Sequence, residues 1–210
     1  NFYRRSNSPN ILGDEDGIGD QSYYDMALAV SPTDYTVIVA GGLVTYRSTN
    51  GGSSFTNATI YRENGVDEYI HPDIHGLEYN PLNGYLYAMG DGGVHRSTDD
   101  GVNYIDLYEG LNTAQFYGMD DYDGNVNAMI AGCQDNGVKY KTSLGSNFDH
   151  IYCCDGADGI IDYSNVSRGY AVVNKSVKYY SNFTTTSPVN AFYNIGFFPE
   201  IELHSTNPDR

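Results

Sequence analysis

The chain has 210 residues, with 24 glycines, 21 tyrosines and no tryptophan; this is room for one or two domains with a sizeable core and argues for a turn-rich all-β fold. A formal net charge of −16, from 27 acidic and 11 basic residues, sets aside nucleic acid and anionic membranes as partners. It leaves cations, sugars and basic protein surfaces, and it favours an extracellular setting. No apolar run reaches the roughly 18 residues of a membrane-spanning helix. Cys133, Cys153 and Cys154 are an odd number and build no disulfide framework; either Cys133 bridges one of the adjacent pair or all three are buried thiols.

Taken in chain order, residues 1–22 read as the outgoing end of one unit and a connecting loop. A first unit, 23–61, has strands at Tyr24–Val30, Thr36–Ala40, Leu43–Ser48 and Phe55–Ile60, with a turn at Ser31–Tyr35. A second, 62–108, begins at His75–Tyr79, turns at Asn80–Gly84, and continues through Tyr85–Met89 and Val94–Ser97. A third, 109–152, starts at Gln115–Asp120 and passes through Ala128–Ala131 and Val138–Lys141. A fourth and weaker one, 153–195, contains Gly159–Tyr163, Tyr170–Val173 and Val177–Tyr180. Residues 196–210, with Glu200–His204, look like the start of a further unit.

Two turns repeat at a spacing of about 49 residues. Ser97-Thr98-Asp99-Asp100-Gly101-Val102-Asn103-Tyr104 fits Ser-x-Asp-x-Gly-x-x-aromatic, and Ser48-Thr49-Asn50-Gly51-Gly52-Ser53-Ser54-Phe55 is its Asn variant; Thr142–Phe148 is a shortened copy. A Ser hydroxyl and an Asp or Asn oxygen can bond backbone N–H groups inside the turn, glycine takes a backbone state that other residues resist, and the aromatic returns to the core. Ser48, Asn50, Gly52 and Phe55, with Ser97, Asp99, Gly101 and Tyr104, are therefore structural. Four-stranded units at a period of 41–49 residues predict a β-propeller, with about four consecutive blades of a larger one.

These turns resemble the Asp-box, or BNR, repeats of sialidases, xyloglucanase-type glycoside hydrolases and sortilin/VPS10 propellers. The longer pattern is similar to that of large secreted proteins of Bacteroidetes-type bacteria, often exported by the type IX system. It is carried by Tyr24–Pro32, His71–His75, Gly90-Asp91-Gly92-Gly93, Gly110–Tyr117, Gln134-Asp135-Asn136-Gly137 and Asp155–Gly159. The resemblance implies a secreted or cell-surface propeller that binds glycan or protein ligands without catalysis. It equally admits a xyloglucanase-type glycoside hydrolase using two Asp carboxylates, or a sortilin-like peptide receptor.

In a blade A-B-C-D, the D–A and B–C loops share one end, which sorts the candidates. His71, Asp73 and His75 alternate, so an extended backbone aims them the same way; they are a candidate set for a divalent transition metal, or a hydrogen-bonded cluster at the mouth of the channel. Gln134 and Asp158 join them as candidate ligand-binding residues. Asp14, Asp16 and Asp20, and separately Asp121-Tyr122-Asp123-Gly124-Asn125, have oxygen spacing reminiscent of calcium loops, although neither completes the twelve-residue pattern. Calcium is the candidate cofactor. If the chain is an enzyme, the resemblance makes Asp91 and Asp135 the catalytic pair, although Gly90-Asp91-Gly92-Gly93 lacks the spacer of the family's Asp-x-Gly-Gly turn. The arginines show no cluster of the kind a sialidase needs.

Overall fold

A computed structural model of the chain describes residues 3–62, 69–107, 109–111, 113–193, 196 and 199–206, with backbone alone for 184–193. Among the described residues, sixteen strands form four antiparallel sheets, each a simple meander of four sequential strands. The first sheet holds β1 (Ala27–Val30), β2 (Ile38–Gly41), β3 (Thr45–Ser48) and β4 (Thr56–Asn57), and the second β5 (Ile74–Tyr79), β6 (Leu86–Gly90), β7 (Gly93–Ser97) and β8 (Ile105–Asp106). The third comprises β9 (Phe116–Tyr122), β10 (Asn125–Cys133), β11 (Gly137–Lys141) and β12 (Asp149–Tyr152). The fourth comprises β13 (Gly156–Asp162), β14 (Asn165–Val173), β15 (Ser176–Ser181) and β16 (Thr184–Tyr193). Consecutive four-stranded meanders of this kind are the blades of a β-propeller.

The chain divides into two compact units, Asn1–Asn112 with the first two sheets and Thr113–Arg210 with the last two. In the first unit, strict alternation in β1 sends Ala27 and Ala29 inward and leaves Leu28 and Val30 out. They meet Val39, Ile70, Ile74, Leu86, Ala88 and Tyr104 in one core. Each fully buried Ile, Leu or Val there contributes about 1.5–3 kcal/mol. The second unit has its own core of Ile130, Val138, Ile151, Tyr152, Ile161, Ala171, Val173 and Tyr180.

The repeated turns take the geometry their residues dictate. Ser97 Oγ accepts from the backbone N–H of Asp99 at 3.3 Å and of Gly101 at 2.8 Å, and donates to Asp99 Oδ1 at 2.8 Å. Asp99 Oδ1 also takes the N–H groups of Val102 and Asn103. Burial pushes the Asp99 carboxyl up, but donors from Asn103, Ser97 and Val102 outweigh it and hold the group below its ordinary value. Gly101 sits at φ +82°, where a side chain would be strained. In the upstream copy Ser48 Oγ accepts from Asn50 and Gly52, and Asn50 Oδ1 accepts from Ser54. Arg47 spans from the first sheet to this second-sheet turn by donating to the Asp100 carbonyl at 2.8 Å.

Two expectations need correction. The structure pairs Cys153 with its neighbour Cys154 and leaves Cys133 a buried thiol, raised above its usual pKa chiefly by burial. The fourth unit, the weakest of the four as a sequence pattern, forms a complete four-stranded sheet, and β14 and β16 are among the longest strands of the described residues. Glu200–His204 forms no strand. There Ile201 N–H instead donates to Asp158 Oδ2 at 3.0 Å. Asn207 and Pro208, part of the same expected element, lie outside the described residues.

Candidate functional site

The first unit gathers three carboxyls and an imidazole at the end formed by the D–A and B–C loops. Asp25 precedes β1, Asp73 precedes β5, His75 is the second residue of β5, and Asp91 occupies the turn between β6 and β7. Glycine makes this convergence sterically feasible. A Cβ on Gly92 would overlap His71 Cβ, so only glycine lets the Asp91 turn rest on the His71–Asp73 loop. The Asp91 N–H reaches the Asp73 carbonyl at 3.4 Å.

The imidazole of His75 stands between two carboxyls. Its Nε2 lies 2.6 Å from Asp91 Oδ1, and its Nδ1 lies 3.2 Å from Asp25 Oδ1. Asp73 and Asp91 present carboxylate oxygens within 4.8 Å of one another. Asp73 Oδ1 accepts from Gln21 Nε2 at 2.7 Å, and its carboxyl also faces Asp25. Asp25 is fully buried at 0 % exposure, and neither of its oxygens accepts a hydrogen bond despite the nearby His75. Its contact with His75 is an ion-pair approach without hydrogen-bond alignment.

Electrostatics follow from this crowding. Burial, then the Asp25 and Asp91 charges, push the Asp73 carboxyl up to about 6. Burial also raises Asp25, against the opposing pull of His75. At the mouth, Tyr24 packs edge-on against the His75 ring at 4.8 Å between centroids while remaining 56 % exposed. An exposed aromatic edge beside unsaturated carboxylates suits hydroxyl-rich or cationic ligands.

The expected His71/Asp73/His75 metal set does not assemble. Asp73 lies at φ +69°, which breaks the extended alternation, and His71 turns its Nδ1 to the Pro72 carbonyl at 3.1 Å. Both nitrogens of His75 face carboxylates instead. Asp14, Asp16 and Asp20 do not converge as a calcium loop either. Arg62 pairs with Asp14, with Glu15 at 3.2 Å and with Asp16 at 2.7 Å, and Asp20 Oδ1 caps the Ser22 N–H at 2.8 Å. A guanidinium already supplies the positive charge there.

The remaining candidates belong to the second unit. Asp135 follows β10 at φ +58°, its N–H 3.4 Å from Asp155 Oδ1. Gln134 Oε1 accepts from the Tyr117 hydroxyl at 2.8 Å. Asp158 is 8 % exposed and spends both oxygens on backbone N–H groups, those of Gly159 and Ile201; burial raises its pKa. Beside it opens a cleft of about 650 Å³ whose lining includes Tyr117, Asp120, Tyr122, Tyr163 and Glu200.

Sequence reasoning missed Asp25 and Tyr24 as site residues. Asp25 and Asp73 are 48 residues apart, close to the 49 between Ser48 and Ser97. A shift of 49, which superposes the serine turns, sets Asp25 opposite Ile74, so the repeat brings the two carboxyls to neighbouring places without equating them.

No family model matches the chain, and no curated protein does. Among solved structures it is similar to an ancestral GH74 enzyme at 17 % identity and TM-score 0.31, over 76 % of this chain and 23 % of that one. It is similar to a GH74 enzyme of Niastella koreensis at 17 % identity and TM-score 0.33, over 80 % and 30 %. The extracellular domain of a putative hybrid two component system from B. thetaiotaomicron matches at 8 % identity and TM-score 0.34, over 80 % and 25 %. The chain thus spans between about a quarter and a third of the length of these structures. The propeller assignment rests on the four sheets themselves.

Proposed function

We propose that the chain forms Asp-box blades of a larger secreted or cell-surface propeller whose D–A/B–C end binds a glycan, with blade boundaries at 23–61, 62–108, 109–152 and 153–195. The observation that carries this reading is the Asp25–Asp73–Asp91–His75 cluster with the exposed Tyr24 ring beside it. Carboxylates accept paired hydrogen bonds from sugar hydroxyls, and an aromatic ring packs on the apolar face of a pyranose. The bonding pattern of Ser97, Asp99 and Gly101 supports the Asp-box assignment.

The test is a glycan array on the immobilised chain, followed by calorimetry on the best hit. Saturable binding that Tyr24→Ala and Asp91→Asn each weaken supports the reading. A preference for peptides over every glycan, or turnover of a polysaccharide that Asp91→Asn abolishes, overturns it.

A further inference from the structure

We propose that Asp73 and Asp91 hold one hard divalent cation between them, with the buried Asp25 as the counter-charge behind it. The two acidic clusters of the first unit differ in a way that singles this one out. At Asp14–Glu15–Asp16, Arg62 meets all three carboxylates. At Asp25, Asp73 and Asp91 three carboxyls face each other with a single imidazole for company, and among the described residues no Lys or Arg pairs with any of them.

Asp25 is the second, independent sign. Its side chain is completely buried, aims into the cluster, and has two oxygens without a hydrogen bond, the nearest nitrogen being His75 Nδ1 at 3.2 Å, on an imidazole that it shares with Asp91. A buried carboxylate in that state is costly unless a positive charge sits nearby. A cation held by the facing oxygens of Asp73 and Asp91 provides it. Nitrogen donors engage one oxygen of each, Gln21 on Asp73 and His75 on Asp91.

The donor set selects the ion. Both ring nitrogens of His75 face carboxylates, so the imidazole orients Asp91 and is no ligand itself. Only oxygens remain, which suits calcium, magnesium or manganese and disfavours zinc and copper. Two carboxylates with waters filling the other positions is a usual arrangement for such ions. This inference is independent of the glycan reading and is tested without any sugar present.

The full chain, stripped with a chelator, is titrated with Tb³⁺ while tyrosine-sensitised emission is read, since Tyr24 packs edge-on against His75 beside the site. Ca²⁺ and Mn²⁺ are then titrated by calorimetry. We expect one saturable site, with affinity lowered at least about tenfold in Asp91→Asn and in Asp25→Asn, and unchanged in Asp149→Asn, an exposed residue of β12 on the other unit. Circular dichroism checks folding, and the partly exposed Asp91 decides the matter should Asp25→Asn not fold. Absence of saturation at millimolar Ca²⁺ and Mn²⁺, or wild-type affinity in Asp91→Asn, overturns the proposal.

Discussion

Ser97 shows how much one hydroxyl can hold. It is fully buried, and its oxygen takes two backbone N–H groups that would otherwise have no partner inside the turn. Ser97→Ala is therefore expected to cost about 1–3 kcal/mol, the desolvation penalty of stranded donors. Ser48→Ala should cost a similar amount, because Ser48 makes the matching bonds to Asn50 and Gly52. The urea midpoints of both variants check this, and a silent Ser48→Ala would show that the Asn variant of the turn is held by Asn50 alone.

At the scale of elements, the close seating of one turn on another loop decides whether the site exists. Gly92→Ala would drive the turn between β6 and β7 off the His71–Asp73 loop. We expect about 1–3 kcal/mol of destabilisation, as for other overpacked contacts, together with loss of the cation response at Asp91. A second element-level effect concerns β7 and β8, where His95 faces Asp106 across the strands, its Nδ1 2.8 Å from Asp106 Oδ1. Burial lowers the His95 pKa despite the Asp106 charge, and the His71 charge adds to the lowering. A histidine whose folded value lies below its unfolded value of about 6.5 binds fewer protons when folded. Its contribution to stability is therefore present above that value and is lost as pH falls below it. Asp73, raised to about 6, takes up a proton in the same window and opposes this loss, so the His95 share is read as a difference: between pH 8 and pH 5 the urea midpoint of the wild type should fall more, or rise less, than that of His95→Gln.

Elements were legible because repeated units impose repeated patterns: the serine turns, the apolar A and B strands and the Gly-Asp-Gly-Gly turn each mark a fixed place in a blade. The site was legible only in part. His75 and Asp91 stood out as polar residues in loops, but Asp25 lies directly before an apolar strand, and its burial depends on packing between two sheets. The backbone reversal at Asp73 likewise broke an alternation that the spacing of His71, Asp73 and His75 had suggested. The Cys153–Cys154 bridge was missed because adjacent cysteines seldom satisfy disulfide geometry.

For the whole molecule, charge is the dominant variable. A formal net charge of −16 spread over 210 residues opposes compaction by self-repulsion. Raising ionic strength from 0.15 M to 1 M shortens the screening length from about 8 Å to about 3 Å. In chelator-treated protein, added sodium chloride should therefore raise Tm, by about 2–4 °C for each ~1 kcal/mol of repulsion relieved. A falling Tm in a salt series would mean that local pairs such as Arg62 with its three acids outweigh the global repulsion.

That arginine also governs how the chain moves in time. Arg62 follows β4, and its partners Asp14, Glu15 and Asp16 precede β1, so its grip joins the two ends of one blade. The Tyr46 hydroxyl, from the middle of the same blade, donates to the Asp14 carbonyl. The amides of Asp16 and Ile18 then bond Asp14 Oδ1 inside a fastened loop. In hydrogen exchange they should open at strand-like rates, and in Arg62→Ala they should exchange fast while the amides of β2 and β3 stay slow. The segment before the first strand would then behave as a rivet in the blade and not as a frayed lead.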